Sequence, residues 1–113
     1  MCSQSALSEI TEKVCRSAKD VLGDRLEKVY LFGSYARGDH DDESDIDIMV
    51  LADIAPEEAC KTGSKIYYGT ERLDLKHDVV LSVHVTCSAV FHKYINALPY
   101  YMNVLKDGVE LYA

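Results

Sequence analysis

Two short segments hold the most informative residues of this chain. The first is Val29-Tyr30-Leu31-Phe32-Gly33-Ser34-Tyr35-Ala36-Arg37-Gly38, and the second, five polar residues later, is Ser44-Asp45-Ile46-Asp47-Ile48. The consecutive apolar residues before Gly33 predict a strand over 27–33 that is buried on both faces. A second strand is predicted over 45–52. A polar turn region therefore joins two strands, and a short helix is predicted to begin at Ser34.

The turn after the first predicted strand has the features of a phosphate site. A strand that ends in Gly-Ser and leads into a helix presents free backbone N–H groups and the positive end of the helix dipole. Gly33 lacks a Cβ atom, so a ligand can approach its backbone closely. The Ser34 hydroxyl can donate a hydrogen bond to a phosphate oxygen. Arg37 either contacts a phosphate or pairs with the acidic residues that follow it.

The second segment predicts a metal site. Asp45 and Asp47 are two residues apart on a strand, so both carboxylates lie on the same face. Neighbouring carboxylates repel each other unless a cation lies between them, and carboxylate oxygens suit Mg²⁺. Phosphoryl and nucleotidyl transfer need mainly positioning and charge neutralisation. A metal pair usually needs a third carboxylate, for which Asp78, directly before an apolar run, is preferred to its rival Asp74.

These segments together resemble the signature of the DNA polymerase β-like nucleotidyltransferase superfamily. The resemblance rests on Gly33-Ser34, an interval of ten residues, and then Asp45-Ile46-Asp47. Within the superfamily the chain is most similar to the minimal nucleotidyltransferases of HEPN/MNT toxin–antitoxin pairs, because the Gly33–Gly38 segment and Ser44 also agree. The resemblance implies an α/β (α+β) nucleotidyltransferase fold, with a small mixed β-sheet flanked by helices.

The same resemblance implies an activity and a set of site residues. The reaction would transfer a nucleoside monophosphate, AMP from ATP, to a hydroxyl acceptor with Mg²⁺, or Mn²⁺, as the metal. Asp45 and Asp47 would be metal ligands in the catalytic site, and Asp78 would be the third carboxylate and the base toward the acceptor. The nucleotide would be held by four residues: Gly33, Ser34, Arg37 and Ser44.

The acceptor and the partner are less constrained by the sequence. The chain has no room for the helical substrate domain of larger relatives, so a HEPN-type toxin, modified on a tyrosine, or a second copy in a homodimer would complete the site. Two alternatives stay open. One is transfer to a small molecule such as an aminoglycoside. The other is a non-catalytic, antitoxin-like module that neutralises a partner by contact.

Composition narrows the class of protein. The 113 residues fit a single domain over 1–113, and a net charge of −7 with scattered basic residues argues against binding long nucleic acid alone. No apolar run is long enough to span a bilayer, and no signal peptide is visible. The four cysteines form no C-x-x-C pair. A cytoplasmic protein with reduced cysteines is expected.

The remaining elements are predicted from hydrophobic period, caps and breakers. Helices are expected over 5–22, from Pro56 to near Gly69, over 89–97 and from Pro99 to Gly108. A third strand is expected within 75–87, centred on 78–83, and a short edge strand over 109–112. On the third strand, His84 is expected to be partly buried and hydrogen-bonded rather than to line the pocket. Tyr100 and Tyr101 are interpreted as core or partner surface rather than as a base-stacking platform.

Overall fold

The computed structural model describes residues 4–33, 35 and 45–112, and within them helices and strands follow one another largely as the sequence predicts. The elements are α1 (Gln4–Leu22), β1 (Leu26–Phe32), β2 (Ile46–Ala52), α2 (Ala59–Gly69), α3 (Leu73–Lys76), β3 (Leu81–Cys87), α4 (Ser88–Tyr94), α5 (Pro99–Asp107) and β4 (Val109–Tyr112). Single 3-10 turns precede β1 and α2. Of the short helix predicted from Ser34, only Tyr35 is among the described residues, and it is helical and buried.

The four strands form one mixed sheet in the order β3-β2-β1-β4. Strand β1 is antiparallel to both of its neighbours, and β2 is parallel to β3. The parallel pair requires a crossover, and α2 and α3 supply it. The expected fold class, a small mixed sheet flanked by helices, is confirmed. The antiparallel register of β1 and β2 brings the end of one strand beside the start of the other.

One face of the sheet carries the main core. The predicted stripe of α1, which includes Ile10, Val14 and Ala18, is buried against inward-facing strand residues. Helices α1 and α2 approach closely, since the Ser17 hydroxyl donates to the Ile66 carbonyl at 2.7 Å. A side chain at Gly69 would collide with Ser17. The layer of α1 and α2 therefore covers one face of β1 and β2, and the candidate site lies on the other face.

The opposite face carries a smaller apolar cluster. It consists of Tyr30, Met49 and Val104, with Phe32 and Tyr101 packed against them. Because side chains alternate along a strand, Met49 lies on the same face of β2 as Asp47. Helices α4 and α5 therefore cover part of the sheet face that also carries the candidate carboxylates.

The structure corrects several predicted boundaries. Strand β3 begins at Leu81, so Asp78 is not part of it. Asp78 lies in the preceding turn with φ 55. Helix α4 ends at Tyr94 rather than near residue 97, because the chain must turn before Pro99 opens α5. The one-turn helix α3 was not predicted, since four residues are too few to show a helical period. No described helix is long and apolar enough to cross a membrane.

Candidate active site

The site is built where β1 ends and β2 begins. Phe32 pairs with Asp47 in the antiparallel register, so Gly33, the next residue, faces the Asp47 side chain. Gly33 has φ +78, a conformation that L-residues with a side chain rarely adopt. A Cβ atom at this position would lie 2.7 Å from Asp47 Oδ2. The glycine is thus required both by the turn and by the carboxylate beside it.

Asp45 and Asp47 lie at the start of β2, where the strand alternation predicts a shared face. Asp45 is exposed, whereas the Asp47 side chain retains 29% of its accessible surface. Burial raises the pKa of the Asp47 carboxyl, the nearby Asp45 charge raises it further, and His84 acts in the opposite direction. The charged form of Asp47 is therefore destabilised, and a cation at this position would relieve the cost.

Three aromatic side chains, which we call the aromatic wall, stand beside Asp47: Phe32, His84 and Tyr100. The Phe32 ring lies 5.7 Å from that of His84 and 5.6 Å from that of Tyr100, measured between centroids. His84 Nε2 lies 3.9 Å from Asp47 Oδ1, and its side chain is 47% exposed. His84 was expected to be partly buried and hydrogen-bonded rather than to line the pocket, but the structure shows it exposed and beside Asp47.

The phenol of Tyr100 has an unusually unfavourable environment for ionisation. Burial, then Tyr101, then the Asp47 charge raise the pKa of Tyr100 to about 12. Tyr100 is therefore a neutral phenol at physiological pH.

Comparison with known proteins agrees with this geometry. The family model for the nucleotidyltransferase domain matches residues 7–109, which is nearly the whole chain. The chain belongs to the nucleotidyltransferase domain family. The predicted family membership and the prediction that the chain is an enzyme of the nucleotidyltransferase type are both confirmed.

Two curated relatives of this nucleotidyltransferase come from Methanocaldococcus jannaschii. The present chain is 34% identical to "Putative protein adenylyltransferase MJ0141" over 91% of its own length and 96% of the relative. It is 39% identical to "Putative protein adenylyltransferase MJ0604" over 78% of the present chain and 80% of the relative. Both relatives carry names of adenylyl transfer to protein.

Two solved structures share the fold of the nucleotidyltransferase at low sequence identity. One is a toxin–antitoxin crystal structure with AMP-PNP, which superposes with a TM-score of 0.57 at 22% identity. The other is a mutant of the toxin–antitoxin MntA-HpeT, with a TM-score of 0.55 at 20% identity. Each match covers 91% of the present chain and 73% of the other.

The junction of β1 and β2 that holds Gly33, Asp45 and Asp47, which we call the corner, has donor groups that suit a divalent metal. Both carboxylates are hard oxygen donors on one face, one of them is partly desolvated, and the missing Cβ of Gly33 lets the Asp47 carboxylate lie against the backbone of the turn. Among the described residues, however, no three His, Cys, Asp or Glu side chains come together as a metal site. The described part of the corner thus offers two carboxylates, Asp45 and Asp47.

The structure does not bring either candidate third carboxylate to this pair. The parallel register places Ser82 beside Asp47, and Val80 precedes the Leu81 that pairs with Ile46. Asp78 is exposed in the turn before β3, so its assignment as a third ligand stays a prediction without support from the geometry. The rival Asp74 is 5% exposed and accepts hydrogen bonds from the Tyr67 hydroxyl and the Leu75 amide, which is a structural role.

Three predicted nucleotide contacts, Ser34, Arg37 and Ser44, lie outside the described residues. Two members of the aromatic wall were missed as site residues for different reasons. His84 could have been placed by its period-2 alternation with Ser82, had the register of β2 and β3 been known. Tyr100 comes from a helix more than fifty residues further along the chain than Asp45 and Asp47, and no local pattern points to its position.

Proposed function

We propose that the chain transfers AMP from ATP to a hydroxyl group of a protein, with Mg²⁺ held by Asp45 and Asp47. The observation that carries this proposal is the corner at which Gly33 faces the Asp47 carboxylate at the junction of β1 and β2. The names of the curated relatives support a protein as the acceptor. Mn²⁺ accepts the same oxygen ligands and is the alternative metal.

Each site residue has a role in this proposal. Gly33 and Ser34 hold the triphosphate through backbone N–H groups and the serine hydroxyl, and Arg37 and Ser44 add polar contacts to it. Asp45 and Asp47 hold the metal, which when bound supplies positive charge against the phosphate oxygens. The acceptor hydroxyl displaces pyrophosphate from the α-phosphorus. The main core behind β1 and β2 keeps the two carboxylates in position.

A partner protein fits the surface next to the site. Helix α5 begins at Pro99, next to Tyr100 of the aromatic wall, and continues with the exposed apolar residues Met102 and Leu105. A HEPN-type protein is the partner that we would test first, and a second copy of this chain is the alternative. Because the reaction consumes ATP, we also propose that it takes place in the cytoplasm.

The transfer assay tests the proposed function directly. The protein is incubated with Mg²⁺, a HEPN-type protein as acceptor and ATP labelled in either the α- or the γ-phosphate. We expect label on the acceptor from α-labelled ATP only, with release of pyrophosphate. EDTA should abolish the transfer. Label from γ-labelled ATP would indicate phosphoryl transfer instead, and absence of both transfer and Mg²⁺–ATP binding would contradict the proposal.

Metal binding should be visible in thermal stability without any turnover. A ligand that binds only the folded state at about 100 times its Kd adds about 2.7 kcal/mol, or roughly 10 °C in melting temperature for a domain of this size. We expect Mg²⁺ with a non-hydrolysable ATP analogue to raise the melting temperature of the wild type by this order. The double variant Asp45→Asn/Asp47→Asn should show a much smaller rise. An equal rise in both proteins would place the ligand elsewhere.

A further inference from the structure

Tyr100 carries a hydroxyl group of the chain itself to the edge of the candidate site. Its ring contacts both other members of the aromatic wall, with centroids 5.6 Å from Phe32 and 6.4 Å from His84. Phe32 pairs with Asp47 in the sheet, and His84 Nε2 lies 3.9 Å from Asp47 Oδ1. Tyr100 therefore packs against two side chains that both lie beside Asp47.

The Tyr100 residue is also partly accessible to solvent. Tyr100 is 41% exposed, so the wall does not enclose it. No described hydrogen bond occupies the Tyr100 hydroxyl. It is thus a hydroxyl of the chemical class that the proposed reaction uses as acceptor.

Several other tyrosines among the described residues lack this combination. The Tyr101 ring packs edge-on against Phe91 at 5.0 Å and borders the small apolar cluster. Tyr30 is buried. Tyr67 donates its hydroxyl to Asp74, and its ring meets that of Tyr68 edge-on; both tyrosines lie on α2. Tyr101 is the immediate neighbour of Tyr100 in sequence, which makes it a matched control.

We propose that Tyr100 is a self-modification site, at which the chain attaches AMP to its own phenolic oxygen. The inference rests on the proposed adenylyl transfer. The Tyr100 oxygen forms a bond to the α-phosphorus of ATP, while the bond from that phosphorus to the bridging oxygen of pyrophosphate breaks. Pyrophosphate leaves with the electron pair, and the phenolic proton passes to solvent. The product is an adenylyl phosphodiester on Tyr100.

The test uses the whole protein with Mg²⁺ and α-labelled ATP and no other protein. We expect label on the chain, and mass spectrometry should place one AMP on the tryptic peptide 94–106, with fragmentation assigning it to Tyr100. Tyr100→Phe should lower labelling at least tenfold, whereas Tyr101→Phe should leave it within twofold. The half-time should not change on dilution, because the site lies within one chain. Label on another residue such as Ser82, equal labelling of Tyr100→Phe, or a rate proportional to protein concentration would overturn the inference.

A binding measurement separates this inference from the proposed function. In a protein with isotopically labelled tyrosines, Mg²⁺ and a non-hydrolysable ATP analogue should shift the NMR signals of the Tyr100 ring more than those of Tyr101. If the analogue binds and a HEPN-type acceptor is adenylylated but Tyr100 gains neither AMP nor a shift, the self-modification is wrong and the proposed function stands. If the analogue does not bind and nothing is labelled, both are wrong.

Discussion

Asp47→Asn should lower the rate of AMP transfer by at least about 100-fold. The substitution keeps the size of the side chain but removes the charge that holds the metal, and a lost preorganised electrostatic contact at a reacting phosphate or oxyanion costs about this much. Asp47 is the more buried member of the pair, so its negative charge is screened less by water. The initial rate of pyrophosphate release at saturating Mg²⁺ and ATP measures the effect.

The stability of Asp47→Asn should change in the opposite direction. Burial and the Asp45 charge raise the pKa of Asp47, so its ionised form costs folding free energy when no metal is bound. The neutral amide avoids that cost. We expect the free energy of unfolding in EDTA to rise by about 0.5–1 kcal/mol, in the range typical of relieved strain at functional sites. A variant that is inactive because it is unfolded would fail this check.

Asp78→Asn is the control for the loss of one negative charge outside the proposed metal site. It removes one carboxylate from an exposed turn that the structure does not bring to the metal pair. We expect its rate of AMP transfer to stay within about twofold of the wild type. A loss as large as that of Asp47→Asn would show that Asp78 does enter the site and that the register argument against it fails.

Much of the fold could be predicted because its signals are local. The stripe of α1, the apolar run of β1 and the alternation around Asp47 each depend on residues within one element, and the structure has these elements within one or two residues of the expected bounds. The Gly-Ser turn and the two carboxylates at a fixed interval then predict the position of the site. Two antiparallel strands joined by a short connection bring the end of the first beside the start of the second.

The less predictable parts depend on register and on distant elements. The apolar run after Asp78 suggested a strand from that residue, but the turn with positive φ delays β3 until Leu81. Because β3 begins later than expected, Ser82 rather than a carboxylate lies beside Asp47. The aromatic wall combines β1, β3 and α5, so His84 and Tyr100 reach the site only through tertiary packing, which hydrophobic periodicity does not encode.

Gly33→Ala should reduce both stability and activity, by two separable effects. The first is the backbone conformation: a side chain at φ +78 costs roughly 1–2 kcal/mol of folding free energy. The second is contact, since the new Cβ would lie 2.7 Å from Asp47 Oδ2 and the carboxylate would have to move. A displacement of about 1 Å at a reacting group can cost about 100-fold in rate. We therefore expect a rate loss of that order.

Gly23→Ala separates the two effects. Gly23 also has a positive φ, +58, but a Cβ atom there would meet nothing within 4 Å. Both variants should lose a comparable amount of stability in urea unfolding, because both adopt the left-handed conformation. Only Gly33→Ala should also lose AMP transfer and the rise in melting temperature with Mg²⁺ and the ATP analogue. If the two variants were equally active, the close approach of Gly33 to Asp47 would have no part in the reaction, and the geometric basis of the proposed site would be wrong.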